Sequence, residues 1–210
     1  MSRIAREAVV RAVVKVQGMG FAEKQRLADE LFHAQSHVLA SVLVQGRLGV
    51  SAQKMDFLLG LVLVAFQAMR ESGLTWPLIT DDDQDRRMAH LADAIRFREE
   101  LPEERRTDAI RTYIALNPEK ELLAHVYTET TRWLQHVVPE EADKHVMLAA
   151  LNFVDCIAYV PLPEATAAVQ RGSSSDADGA SPVRPVRKPR TTQHGRNRNF
   201  SRRGTSNAQG

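Results

Sequence analysis

Residues 57–66 read FLLGLVLVAF, the longest uninterrupted apolar run in the chain. A helix needs about 18 or more such residues to cross a bilayer, so a run of this length predicts a buried core helix. Ser51 stands shortly before the run, and its hydroxyl can cap a helix that continues to about Ser72. The centre of the fold is therefore predicted to be helical.

The residues before this run have helical spacing as well. Residues 2–17 place apolar side chains three and four positions apart. Their segment VVRAVVKV is rich in β-branched residues, so a strand is an open alternative there. Residues 21–45 predict a second amphipathic helix. Glycines end both segments (Gly18, Gly20, Gly46, Gly49).

The residues after the run carry further helix boundaries. Thr80 followed by three aspartates is typical of a capped start, which predicts a helix to about Glu100. Pro102 stands early in a short helix that ends near Leu116. Asn117-Pro118 and then Pro139 predict the starts of two more helices, the last ending before Pro161.

These segments predict an all-α fold, a single helical bundle or orthogonal array of about six to seven helices over residues 1–165. Only 6% of the residues are aromatic, so the core must consist mainly of Leu, Val, Ala and Met. Such a core favours helix-on-helix packing over a sheet, because strands prefer β-branched and aromatic side chains.

Residues 166–210 form a tail rich in Arg, Pro, Ser and Gly, which we predict to be disordered because it has too little apolar surface to offset its ordering entropy. Charge divides at nearly the same place. Residues 171–210 hold nine basic and two acidic residues, whereas residues 1–170 hold 19 basic and 24 acidic residues. Such asymmetry is typical of an interaction tail.

The strongest functional signal is a basic cluster with no acid between residues 184 and 203. We predict that it contacts RNA or DNA through phosphate oxygens, since seven of its eight cations are arginines. His194 and Phe200 add hydrogen-bonding and stacking capacity. An acidic protein partner or no specific ligand are the alternatives; membrane binding is not expected, because the tail lacks an apolar wedge. The predicted nucleic-acid-binding residues are Arg184, Arg187, Lys188, Arg190, Arg196, Arg198, Arg202 and Arg203.

Two spacings raise the alternative of a carboxylate-histidine metal site. Glu30 and His33 have the Glu-x-x-His spacing of di-iron helices, with His37 one turn later, and Glu121 and His125 lie four apart. The second pair has the wrong spacing for a second copy, and charged neighbours of Glu30 indicate a solvated face. We therefore expect no metal, and histidines with local partners instead, including His90, His136 and His145.

Other motifs are weaker. No nucleophile elbow and no glycine-rich phosphate loop is present, so no catalytic residue and no cofactor is predicted. Residues 42–58 resemble a helix-turn-helix, but the second helix becomes too apolar to lie in DNA, and a helical hairpin is the preferred interpretation. Cys156 is expected to be a buried hydrophobe. Trp133 is expected in the core, Trp76 in a loop, and the aspartates of residues 81–85 at a helix cap.

The sequence therefore predicts a helical accessory or regulatory protein without enzymatic activity, whose tail contacts nucleic acid or another polyanion. A protein-interaction adaptor or chaperone that binds no nucleic acid is the alternative, with the metalloprotein third. A protein partner or a second copy of the chain would bind through the helical body. A cytoplasmic location is expected, because no secretory signal is visible and one cysteine cannot form an internal disulfide.

Overall fold

The structure is a computed structural model that describes residues 2–163, and within that range the chain is all-α, as predicted. It contains eight α-helices and a short 3-10 helix at Val44–Leu48. The α-helices are α1 (Arg6–Gly18), α2 (Phe21–Ala34), α3 (Ser36–Leu43), α4 (Ala52–Glu71), α5 (Asp81–Glu100), α6 (Glu103–Leu116), α7 (Lys120–Leu134) and α8 (Asp143–Tyr159). The strand alternative for residues 2–17 was wrong, since they contain α1.

The apolar run 57–66 lies in α4, which forms the centre of the core. Ser51 accepts a hydrogen bond from the backbone N–H of Lys54, so the predicted cap is confirmed. The helix packs against α1 on one side and α8 on another. By length and composition α4 is also apolar enough to cross a membrane, yet 61% of that apolar window is buried inside the bundle.

The predicted single helix over residues 21–45 is instead two helices that break at Gln35. This side chain is buried, and its amide donates to the carbonyl of Pro77 while its oxygen accepts from the N–H of Ile79, both at 2.8 Å. Gln35 thereby satisfies two backbone groups of the loop that precedes α5. The break raises the number of described α-helices to eight.

Two other helix starts lie later than their prolines predicted. Asn117 does not cap a helix that begins at Pro118; its side chain accepts from the N–H of Glu119, and α7 begins at Lys120. Likewise α8 begins at Asp143, four residues after Pro139. Near both helix starts a buried acid contacts a distant residue: Glu119 contacts Arg3, and Asp143 contacts Lys54.

The hairpin of α5 and α6 is the least buried part of the bundle. Only Leu91 of α5 is buried, and no residue of α6 is. The start of α5 agrees with prediction, because Thr80 and Asp83 form a capping box. The predicted boundary at residue 165 and the tail 166–210 lie outside the described residues.

Candidate functional site

All eight predicted nucleic-acid-binding residues, from Arg184 to Arg203, lie outside the described residues, so their arrangement stays a prediction. What the structure shows is the end of the helical body that precedes them. There the chain leaves α8 at Val160 and passes through residues 161–163. The N-terminal segment is bound to this same end of α8.

The N-terminal segment is held by one buried carboxylate, that of Glu119. Its side chain is fully buried and accepts hydrogen bonds from the Ser2 hydroxyl, the backbone N–H groups of Arg3 and Ile4, and the Arg3 guanidinium, all between 3.0 and 3.2 Å. Four donors compensate the desolvation of the charge. The N-terminus is thereby attached to the start of α7.

Arg3 extends the same network to α8. Its guanidinium donates to the carbonyl of Val160 at 2.7 Å and to the carbonyl of Ile157. These carbonyls belong to the last helical turn, where no intrahelical donor is available. The guanidinium also lies 5.0 Å from the ring centroid of Trp76, a cation–π contact. Trp76 is thus half-buried, with its indole N–H donating to the carbonyl of Met69.

A second buried carboxylate, Asp155, lies between α6 and α8. It accepts hydrogen bonds from the Tyr113 hydroxyl at 2.6 Å and from the Asn117 amide at 2.8 Å. Burial raises the pKa of Asp155 above its ordinary value, although both hydrogen bonds act in the opposite direction. Burial and the contact with Asp155 likewise raise the pKa of the Tyr113 phenol, which stays a donor. The pair fixes α6 against the core.

We expect Tyr113→Phe to lower the free energy of unfolding by about 1–3 kcal/mol, because Asp155 then loses one of its two donors while staying buried. Urea unfolding followed by circular dichroism measures this change. Tyr127→Phe is the control, since Tyr127 lies near the same hairpin and is half-buried but does not contact Asp155. Equal effects of the two variants would contradict the assignment.

The side chains whose spacing suggested a metal site contact other partners in the structure. Glu30 forms an ion pair with Arg70, and His37 lies 2.9 Å from Asp81. His33 is exposed and contacts the ring of Phe32. Within residues 2–163, no group of three or more His, Cys, Asp or Glu side chains is arranged to hold a metal ion. Neither predicted spacing therefore finds further ligands in the described part of the chain.

The other residues singled out in the sequence lie in a shallow groove or in the packed interior. His125 and Glu121 line a shallow groove between α7 and α1, where burial lowers the pKa of His125. Cys156 is buried, and burial raises the pKa of its thiol to about 12, so it stays protonated at neutral pH. Trp133 is half-buried and stacks on Phe57 with 4.6 Å between ring centroids.

The helix-turn-helix alternative is not compatible with the observed packing. Gly49 adopts a left-handed conformation, with φ of 88°, between the 3-10 helix and α4. The helix that would have to read DNA is α4, which the fold buries in its core. Residues 42–58 are therefore part of a helical hairpin with a glycine turn.

The sequence did not reveal an apolar cleft between α5, α6 and α7. Its volume is about 350 Å³, within the range of small-molecule sites. The walls are Leu91, Ala94, Ile95, Phe97, Arg98, Ala109, Ile110, Thr112, Tyr113, Ile114, Leu116, Leu123, Tyr127 and Leu151. The sequence feature that relates to this cleft is the four-residue spacing of Leu91 and Ile95, which Ile110 and Ile114 repeat. It indicates two apolar helix faces but not that a space stays open between them.

Comparisons with known proteins add no family: no family model, curated protein or solved structure matches this chain. Function must therefore be argued from the charges, contacts and cleft described above.

Proposed function

We propose that this chain is a non-enzymatic accessory or regulatory protein of the cytoplasm whose basic tail contacts RNA or DNA. The observation that carries the proposal is the division of charge along the sequence. The 20 residues from Arg184 to Arg203 contain eight cations and no acid, whereas residues 2–163 contain 19 basic and 23 acidic residues. A polyanion would be attracted to the tail and weakly repelled by the body.

The ion pairs of the body support this division. Eleven of its Lys and Arg side chains lie within 4 Å of a carboxylate, six of them one turn from their partner on the same helix. Exposed pairs of this kind add little stability. They do, however, place a negative charge next to most positive charges on the body surface. This supports assigning phosphate contacts to residues 184–203.

The composition of the tail favours single-stranded nucleic acid as the ligand. Arginine forks onto phosphate oxygens with two hydrogen bonds, and it also stacks on bases. Phe200 lies between Arg198 and Arg202, where its ring can stack on an exposed base. Contacts of this type carry little sequence information, so binding should be non-specific and should weaken with salt.

The proposal is tested with a fluorescently labelled, unstructured oligonucleotide and the full-length chain. We compare the wild type with a variant in which all eight cations of residues 184–203 are replaced by glutamine. We expect binding to be lost in the variant, because phosphate attraction is its main source. For the wild type, the logarithm of affinity should fall against the logarithm of salt concentration with a slope of up to about −5 to −6, if all eight cations contact phosphates.

A variant with the seven arginines replaced by lysines is the matched control, since it keeps the charge and removes the bidentate geometry. We expect it to retain the salt slope while binding more weakly. A chain that ends at Thr166 should behave like the glutamine variant. Unchanged oligonucleotide binding by both the truncated and the glutamine forms would refute the proposal.

A protein-interaction adaptor is the second candidate, favoured by large apolar side chains on the surface of the body. Phe21 is 85% exposed, Val138 79% and Leu116 77%. Purification of the chain from its native extract, with and without nuclease, separates the two functions. The adaptor would be favoured by a partner protein that co-purifies in a stoichiometric amount, is retained after nuclease treatment and binds equally well when the tail is removed.

A further inference from the structure

The apolar cleft of the α5–α6 hairpin has the construction of a ligand site. Its volume of about 350 Å³ is lined by residues of α5, α6 and α7 and by Leu151 of α8. The inner walls are well ordered by packing, because Leu91 and Leu123 belong to the buried set of side chains. The outer edge is open, since Phe97 is 64% exposed and Leu116 77%. An apolar molecule can therefore enter from the solvent.

The cleft lining contains few polar groups, and only one of them is charged. The Tyr113 hydroxyl is already committed to Asp155. Thr112 and Tyr127 offer neutral hydroxyl groups, and Arg98 is the one charged residue in the lining. Arg98 is half-buried and forms no ion pair with any other residue of the 2–163 range. The cleft thus offers an apolar interior and a single positive charge.

We propose that this cleft binds a small anionic amphiphile, such as a medium-chain fatty acid, with its chain between α5 and α6 and its carboxylate at Arg98. An alkyl chain is stabilised by removal of apolar surface from water, on the ligand and on the cleft alike. A carboxylate matches the guanidinium in charge and in hydrogen-bond geometry. The volume, at the lower end of the range for ligand sites, favours a medium rather than a long chain.

The low burial of α6 is consistent with such a role. No residue of α6 is fully buried, although Ile110, Tyr113 and Ile114 all line the cleft. A bound chain would cover these side chains and add apolar contacts to those that α6 already makes. Binding should therefore stabilise the hairpin as well as occupy the cleft.

The test uses the full-length chain with carbon-13 label in the isoleucine methyl groups. The sequence contains six isoleucines; Ile95, Ile110 and Ile114 line the cleft, whereas Ile4, Ile79 and Ile157 are fully buried elsewhere. Decanoate is titrated below the concentration at which it forms micelles. We expect saturable shifts at the first three methyl groups and little change at the other three. Absence of saturation, or equal shifts at all six, would overturn the proposal.

Substitutions then test the two parts of the site. Ala109→Phe places a ring in the cleft and should abolish the decanoate shifts. Ala124→Phe is its matched control, because Ala124 lines the groove beside α1 instead, and it should bind as the wild type does. Arg98→Gln should weaken decanoate binding by about threefold to fivefold, as expected for a partly exposed ion pair, and leave decanol binding unchanged.

Two outcomes would identify a different occupant. If decanol binds as well as decanoate and Arg98→Gln changes neither, the anionic part of the proposal is wrong. If sedimentation shows a dimer that Ala109→Phe converts to a monomer, and decanoate does not saturate, the cleft is an interface between two copies of the chain. Neither result depends on the nucleic-acid proposal, because the probe contains no phosphate and the substituted residues lie outside the tail.

Discussion

Replacing Glu119 with alanine should lower the free energy of unfolding by about 3–5 kcal/mol, because it removes a buried charged acceptor from two backbone donors and from the partly exposed Arg3 guanidinium. The carboxylate is fully buried and accepts from Ser2, Arg3 and Ile4. Its loss leaves the N–H groups of Arg3 and Ile4 without an acceptor and the Arg3 guanidinium without its counter-ion. Urea unfolding followed by circular dichroism measures the change.

Two further variants define where the effect comes from. Glu121→Ala, two residues further along the chain in the first turn of α7, is the control; Glu121 is half-buried and forms no ion pair within residues 2–163, so its loss should cost little. Arg3→Ala should cost less than Glu119→Ala, because the backbone donors of residues 3 and 4 continue to compensate the carboxylate. If Glu119→Ala is as mild as Glu121→Ala, the network does not stabilise the fold.

The helices with local signals were predictable from the sequence. Ser51 and Thr80 form the caps that their positions indicated, and the apolar run 57–66 is the core of α4. In each case the relevant partner lies within four residues, as hydrogen bonds of a helix cap require. These short-range signals were therefore sufficient to predict the fold class and the bounds of α4, α5 and α6.

The break at Gln35 could not be predicted in the same way. Nothing in its neighbourhood interrupts the helical spacing, and glutamine is itself a good helix former. The break depends on Pro77 and Ile79, which lie more than 40 residues away along the chain. A local pattern carries no information about such a partner, so the sequence predicted one helix where there are two.

The buried carboxylates were missed for a related reason. Glu119 and Arg3 are separated by 116 residues, and Asp155 and Tyr113 by 42. In the sequence Glu119 resembles many exposed acids, since an acid at the start of a helix is ordinary. Asp155 lies among apolar residues, which indicates burial but does not identify Tyr113 as its partner. The apolar cleft could not be predicted, because apolar residues have the same spacing on a helix face that lines an open space as on one that is packed.

A buried ion pair between Lys54 and Asp143 joins the first turn of α4 to the first turn of α8. Both side chains are buried, and the ammonium of Lys54 contacts Asp143 and lies 3.0 Å from Glu140. Asp143→Leu removes the main counter-ion, so we expect the melting temperature to fall by about 10 °C. The double variant Lys54→Met, Asp143→Leu should recover most of this loss, because no buried charge is then left without a partner.

The pH dependence of this pair gives the same prediction an independent check. Burial favours the neutral forms, yet the contacts between the two groups and with Glu140 outweigh it, so the pKa of Asp143 lies below its ordinary 3.8 and the pKa of Lys54 above its ordinary 10.5. A lowered acid pKa contributes stability above pH 3.8 that is lost as the pH falls through the folded pKa. A raised lysine pKa contributes stability below pH 10.5 that is lost as the pH rises through the folded pKa.

The contribution of the pair should therefore be complete between about pH 5 and pH 9 and should diminish on both sides of that window. We expect the melting temperature of the wild type to fall more steeply in acid than that of the double variant, in which neither group titrates. Thermal unfolding of both proteins from pH 3 to pH 10 measures the difference. Parallel curves would show that the pair contributes no proton-linked stability, and the large loss in Asp143→Leu would then have to come from the hydrogen bond that Asp143 accepts from the N–H of Glu140.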